Sequence, residues 1–335
     1  MNLNDGPVSP FFRPVLLQGG LAFEDLPGRV SDGMVRAAAH APRGSCAAWG
    51  IPFEIGGAFV IQAEPVSVPV EPLRAGWLVF MHTSDDRPLE PNADGFYSPM
   101  PGAGRLNEHA ADYVIVYEDG TEARAQIRRR HQVGAYTRGW GENCFQSVAH
   151  RKPAPVRLAG EQLRDGWGFT QTRVVNDDSD AWTNWLWAWQ NPHPEKAIRA
   201  LRFEPVNGAI ILSAVSAGEA SELPLRWRTR RKAVLRLPEG TAFQPNLDER
   251  GLLAQIQLDL GQVISALPRP SYPNESWESS YNNQLPAVLE NELLVEYTAH
   301  PDACFHLWQG QVISVSKVEA GEPDLPLTPA APAVR

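Results

Sequence analysis

The residues best suited to bind a ligand lie in one short stretch near the middle of the chain. Three alternating tryptophans are followed by three polar residues spaced around two prolines: Trp185, Trp187, Trp189, Asn191, His193 and Glu195. Indole rings can stack on the C–H faces of a sugar, while carboxamide, imidazole and carboxylate groups can hydrogen-bond its hydroxyl groups. The stretch is therefore a candidate ligand-binding site, formed by an aromatic platform with polar groups at its end.

The same stretch also has a structural interpretation. Tryptophan contributes a large buried area, so alternating rings commonly fill the space between two sheets. Polar side chains around prolines often bond the backbone of a turn and bind nothing else. We therefore expect Trp187 to lie in the core, and we expect Asn191, His193 and Glu195 to be accessible if the strand ends in a binding rim.

No catalytic motif is visible, and the catalytic residues, if any, are unknown. The patterns HExxH, GxSxG and the phosphate-binding loops are absent from the sequence. His82 follows a continuous apolar run and has only part of the histidine pattern that metal-dependent hydrolases use. We predict that it is a hydrogen-bonded core histidine, and we expect neither a bound metal nor a cofactor.

Composition and charge limit the possible partners. The net charge of −9 argues against nucleic acid and against an anionic membrane surface. Three distant cysteines, Cys46, Cys144 and Cys304, form no CxxC pair, which favours free thiols in the cytoplasm. The N-terminal residues lack a signal-peptide pattern, and no apolar run approaches the roughly 20 residues that span a bilayer. These features predict a cytoplasmic protein with no membrane partner.

The elements that would position the candidate site are predicted to be strands. Trp185, Trp187 and Trp189 alternate with Leu186 and Ala188, as expected for the two faces of a strand. The apolar run Trp77–Met81 is typical of a strand buried on both faces. Asp119-Gly120 indicates a two-residue type I′ hairpin turn, and Leu252–Leu260 alternates like a half-buried strand. No stretch before residue 218 sustains helical periodicity, so the chain is predicted to be all-β.

The segment Gly218–Pro224 is the best candidate for a domain boundary. It separates a first β-sandwich domain, residues 1–217, from a second, smaller β-sandwich-like domain, residues 225–320. A proline-rich tail, residues 321–335, is predicted to be a linker.

Several segments, taken in order, resemble a known bacterial domain. They are Trp49-Gly-Ile-Pro-Phe-Glu-Ile55, Val79-Phe-Met-His-Thr83, Tyr117-Glu-Asp-Gly-Thr121, Trp189-Gln-Asn-Pro-His-Pro-Glu-Lys-Ala-Ile198 and, further on, Val295-Glu-Tyr-Thr-Ala-His-Pro301. The first four are similar to the galactose-binding-like (jelly-roll) β-sandwich accessory region found N-terminal to bacterial carbohydrate-active or carbaryl-hydrolase-like metal-dependent hydrolases. The last resembles the linking β domain that often follows this region. The resemblance implies a fold and carries no catalytic residues.

Three functions follow as hypotheses. The first is a non-catalytic ligand-binding or scaffolding protein, with carbohydrate as the ligand class that the resemblance implies and a hydrolase catalytic domain or subunit as a partner. The second is a glycoside or metal-dependent hydrolase whose catalytic groups come from loops. The third is a structural module that contacts another protein through exposed aromatic residues.

Overall fold

The computed structural model describes residues 3–87, 90–96, 105–138, 143–152, 181–248, 250, 252–271 and 287–330. Strands account for 47% of the chain and helices for 8%, in several antiparallel sheets. The predicted all-β, sandwich-type fold is therefore confirmed. No helix among these residues is long and apolar enough to cross a membrane.

The described residues form two compact units. The first contains those up to Leu225 apart from Asp5–Pro7, and the second contains Asp5–Pro7 and those from Arg226 onward. Within the predicted tail, Leu327–Pro329 is a strand, whereas residues 331–335 lie outside the described residues.

The first unit contains twelve of the strands and one short helix. They are β1 (Phe12–Val15), α1 (Asp32–Ala37), β2 (Gly44–Ala48), β3 (Ile51–Ile55), β4 (Phe59–Ile61), β5 (Val66–Leu73), β6 (Trp77–Ser84), β7 (His109–Tyr117), β8 (Glu122–Arg128), β9 (Ser147–Ala149), β10 (Trp185–Gln190), β11 (Ile198–Pro205) and β12 (Ile210–Gly218). Two 3₁₀ segments, Phe23–Asp25 and Ala38–His40, flank α1.

Two antiparallel sheets of the first unit pack face to face. One has the order β1-β12-β6-β10-β9, with β4 also pairing β12, and the other has the order β5-β11-β7-β8. Their facing side chains form one buried cluster, in which Phe80 of the first sheet lies 5.1 Å, ring to ring, from Tyr113 of the second. Tyr113 also packs edge-on against Phe203 at 4.8 Å. This shared core makes the unit a sandwich.

The central strand β6 is buried along its whole length, as its apolar run predicts. The inner face of β6 belongs to the core between the two sheets. The β2–β3 hairpin contacts the sheet that contains β6 through strands β1 and β12. Val79 and Met81 of β6 and Leu186 of the neighbouring β10 are fully buried on the opposite face. Burial on both faces explains the continuous hydrophobic sequence of this strand.

The hairpin between β7 and β8 is present, but its predicted turn type was wrong. The amide of Gly120 donates to the carbonyl of Tyr117, and the amide of Tyr117 donates to the carbonyl of Thr121. Gly120 has a positive φ of 81° and Asp119 does not, whereas a type I′ turn needs both. The loop therefore has three residues, and the Asp119 carboxylate stabilises it by accepting from the Thr121 amide at 2.9 Å.

The second unit contains two further sheets. Its elements are β13 (Arg231–Arg236), β14 (Ile256–Leu258), β15 (Gly261–Ser271), β16 (Ala287–Ala299), β17 (Cys304–Leu307), a 3₁₀ turn (Trp308–Gly310), β18 (Val312–Ser314), α2 (Val315–Ala320) and β19 (Leu327–Pro329). One sheet has the order β15-β16-β13-β19 and the other β14-β17-β18.

The strand predicted over Leu252–Leu260 is shorter than expected, because only Ile256–Leu258 pairs as β14. Asp259 is fully buried, and its carboxylate accepts from the amides of Leu260 and Cys304 at 2.6 and 2.7 Å. These side-chain bonds take the place of strand pairing at that point. The prediction of one half-buried strand was therefore wrong at both ends, over residues 252–255 and 259–260.

Candidate functional site

Two of the three alternating tryptophans are core residues. Trp185, Trp187 and Trp189 pair with His82, Phe80 and Leu78 of β6, so they share the inner face of β10 as predicted. Trp185 and Trp187 are only 3% and 6% exposed, and Trp189 is half-buried. The Trp187 ring stacks on Phe80 at 5.5 Å. Trp187 therefore lies in the core, as expected, and burial rules out the alternative of an exposed three-ring platform for Trp185 and Trp187.

Trp185 is fixed by two neighbours from the 134–135 segment. Its indole N–H donates to the carbonyl of Ala135 at 2.9 Å. The ring also lies against the backbone of Gly134, where any side chain would collide with it. Trp185 therefore holds a loop in place and leaves no face for a ligand.

His82 is the hydrogen-bonded core histidine that its sequence context predicts. Its Nε2 lies 2.9 Å from the carbonyl of Gln132, which can only accept, so Nε2 carries the proton. Its Nδ1, 2.7 Å from the hydroxyl of Tyr113, then accepts. Desolvation lowers the pKa of this imidazole to about 4, so it is neutral at pH 7. Among the described residues, no three His, Cys, Asp or Glu side chains are grouped to hold a metal ion.

Asn191 is buried, with 3% exposure, and is not the accessible residue that a binding rim was expected to contain. Its Oδ1 accepts from the Tyr117 hydroxyl at 2.6 Å and from the His193 amide at 3.0 Å. Its Nδ2 donates to the carbonyls of Ala75 and His193 at 2.9 and 3.1 Å. Every hydrogen-bonding group of this carboxamide is thus used to hold the Asn191–Lys196 turn.

The turn presents His193 and Glu195 to solvent. Their side chains are 46% and 67% exposed, and His193 Nδ1 lies 3.8 Å from a carboxylate oxygen of Glu195. The flanking Pro192 and Pro194 are also exposed and restrict the backbone between them. The structure thus places an imidazole and a carboxylate side by side on an anchored turn, as the sequence suggested for two of its three polar residues.

The β7–β8 loop contacts the Asn191–Lys196 turn through the side chain of Lys196. The ammonium group of Lys196 lies 2.7 Å from the Asp119 carboxylate and 2.9 Å from the Thr121 hydroxyl of the β7–β8 loop. The bond from Lys196, followed by those from Thr121, holds the pKa of Asp119 well below its usual range. The Lys196 nitrogen also lies 5.6 Å above the ring of Tyr117, and His193 packs edge-on to that ring. The two turns therefore form one polar end of the sandwich.

Tyr117, Asp119 and Lys196 belong to this end, and the sequence analysis did not identify them as site residues. They reach the turn because β11, which follows the turn, pairs with β7. A pairing of strands so distant in sequence has no local signal. Burial first, and then the charges of Glu195 and Asp119, raise the pKa of Tyr117 to about 12, so its hydroxyl stays protonated and continues to donate to Asn191.

One candidate for a nucleophile with a neighbouring base, Cys304 with His306, lies in the second unit. His306 Nε2 is 3.5 Å from the carboxylate of Asp259, and Cys304 lies two residues before His306 on β17. Desolvation, followed by the charges of Asp259 and Asp302, raises the pKa of the Cys304 thiol to about 11. A reactive cysteine needs a lowered pKa, so this arrangement does not activate Cys304.

No protein-family model matches the chain, and no curated protein matches it at a significant level.

Proposed function

We propose that this protein is a non-catalytic β-sandwich module that binds carbohydrate at the Asn191–Lys196 turn. The observation that carries the proposal is the buried carboxamide of Asn191, which fixes the turn while His193 and Glu195 remain exposed. Anchoring the backbone of the turn reduces the conformational entropy that is lost when a ligand binds. The imidazole and the carboxylate can donate to and accept from adjacent hydroxyl groups, and hydroxyl groups are the main polar feature of a sugar.

The states of the buried groups support a binding function over hydrolysis. General acids and bases must reach their substrate and have a pKa near the working pH. His82 and His150 are 0% and 1% exposed, and burial lowers their pKa to about 4 and about 3. Cys304 is held as a thiol, as described above. Burial and these pKa shifts therefore favour structural roles for His82, His150 and Cys304.

The cellular setting is also part of the proposal. All three cysteines are thiols in the structure, which supports a cytoplasmic location. The resemblance to galactose-binding-like accessory regions supports a role beside a bacterial hydrolase domain or subunit, to which this module would bring carbohydrate.

A glycan array followed by titration tests the proposed function. The wild-type chain should bind at least one glycan, and His193→Ala or Glu195→Gln should weaken that binding about tenfold, the effect of losing one or two hydrogen bonds. His40→Ala and Glu64→Gln are matched controls, because both residues are exposed and lie outside the turn. Failure of every glycan to bind, or equal binding by all four variants, would overturn the proposal.

A further inference from the structure

A cleft with a volume of 680 Å³ opens on the second unit. Three segments form its walls: the end of β13 with the residues that follow it, the turn between β17 and β18, and the approach to β19. Its lining includes Arg236, Trp308, Gln309, Gln311, Asp324 and two prolines. This volume falls within the range of small-molecule sites, and the cleft is wide open to solvent.

Two of the lining residues have backbone conformations that ordinary side chains disfavour. Gln309 and Asp324 have φ values of 62° and 63°, in the left-handed region. Gly310 follows with a φ of 77°, and the amide of Leu307 donates to the carbonyl of Gln311 at 2.8 Å to close the hairpin. Such a turn prefers asparagine or glycine at the position of Gln309. A glutamine at a strained position therefore suggests that its side chain has a function.

The side chains around the cleft have the chemistry of a sugar site. Trp308 is half-buried and is the one aromatic side chain among the described residues that line the cleft. The side chains of Gln309, Gln311 and Asp324 are engaged by no hydrogen bond or ion pair with another described residue. Arg236 uses its Nε on Glu292 at 3.2 Å and is 65% exposed, which leaves its other donors available.

We propose that this cleft is a second binding site, independent of the Asn191–Lys196 turn, for a neutral saccharide of one or two rings. The sugar would stack on Trp308, and its hydroxyl groups would bond to Gln309, Gln311, Asp324 and Arg236. The opposite charges of Arg236 and Asp324 favour a neutral ligand. A proline-rich peptide is the other ligand that prolines and tryptophan could bind. The grooves that bind such peptides are lined by several aromatic residues, whereas the described residues of this cleft include one.

Calorimetric titration with maltose, cellobiose, lactose and chitobiose tests the second site. At least one disaccharide should bind the wild-type chain, and Trp308→Ala should weaken that binding about tenfold or more. Gln309→Gly should weaken it several-fold while leaving the melting temperature equal or higher, because glycine removes the strained conformation. Val312→Ala, an exposed apolar residue of the same hairpin that does not line the cleft, should change neither quantity.

Four results would overturn the inference. They are the absence of binding by every disaccharide, binding that Trp308→Ala leaves intact, Trp308-dependent binding of a proline-rich peptide without saccharide binding, and a loss that occurs in His193→Ala alone. The last result would support the turn of the first unit in place of the cleft. Loss in Trp308→Ala with full binding by His193→Ala would establish the cleft and leave the turn to the glycan-array test, so the two proposals fail separately.

Discussion

The hydroxyl of Tyr117 donates a 2.6 Å hydrogen bond to the carboxamide oxygen of Asn191. Tyr117 ends β7 in one sheet, and Asn191 follows β10 in the other, so this bond joins the two sheets at one end of the sandwich. The same oxygen accepts from the amide of His193. The position of the exposed turn therefore depends on a buried bond between sheets.

The first prediction concerns this bond. Asn191→Ala should lower the free energy of unfolding by roughly 2–3 kcal/mol and Tyr117→Phe by roughly 1–2 kcal/mol, because each leaves a buried polar partner unsatisfied. The double variant should lose less than the sum. Urea denaturation measures all three, and Gln190→Ala, at the exposed neighbouring residue, should stay within about 0.5 kcal/mol of wild type. Strict additivity, or an Asn191→Ala effect as small as that control, would remove the role assigned to the bond.

The second prediction separates core from rim along β10. Trp187→Ala should cost about 3–5 kcal/mol of stability, since it empties a buried aromatic site. Trp189→Ala should cost less, because its ring is half-buried. Chemical denaturation followed by circular dichroism gives both values. Equal and small losses would show that Trp187 does not pack as the structure indicates.

The alternation of tryptophans was readable from sequence because the two faces of a strand repeat every second residue. The burial of Asn191 was not readable, since its partners Tyr117 and Ala75 lie 74 and 116 residues away. The hairpin at Asp119-Gly120 was predicted, but its turn type depends on the φ of one residue. Local sequence patterns thus identified strands and turns. The packing of strands that are distant in sequence determines which polar groups are buried and hydrogen-bonded.

The cleft around Trp308 also could not be predicted from local sequence patterns. Its three walls meet because β13 pairs with β19 and because β17 and β18 form a hairpin. The proline-rich composition of residues 321–335 predicts a linker, and no local feature indicates that Leu327–Pro329 pairs as a strand. A site built from separated segments has no spacing pattern that sequence analysis can recognise.

The third prediction concerns pH. In the folded protein burial lowers the pKa of His82 from 6.5 to about 4. Between these values the unfolded chain binds a proton and the folded chain does not, so stability should fall as the pH decreases from about 6.5 to about 4. The contribution of His82 is of order 3 kcal/mol across that window. His150, whose pKa is lowered to about 3, should likewise lower the stability of the folded protein as the pH decreases.

Urea denaturation at several pH values between 7 and 4.5 checks this dependence. His82→Gln should lower stability at pH 7 and flatten its dependence on pH, whereas His40→Ala, at an exposed histidine, should keep the wild-type slope. An unchanged slope in His82→Gln, or a His82 that NMR shows to be protonated at pH 6, would contradict the assignment.

The fourth prediction concerns Cys304. Because desolvation and two nearby carboxylates raise the pKa of its thiol to about 11, little thiolate is present at pH 7.5. Iodoacetamide should modify Cys304 at least about tenfold more slowly than it modifies glutathione, since the thiolate is the reacting species. Mass spectrometry of the timed reaction measures the rate. Alkylation as fast as that of the free thiol would reopen the possibility of a catalytic cysteine.

The most direct test of the central claim is the dissociation constant of His193→Ala for a glycan that the wild-type chain binds. Isothermal titration should give a value about tenfold weaker than wild type, with the free energy of unfolding changed by no more than about 0.5 kcal/mol. His40→Ala should match wild type in both quantities. A dissociation constant for His193→Ala equal to that of wild type would contradict a binding role for the Asn191–Lys196 turn.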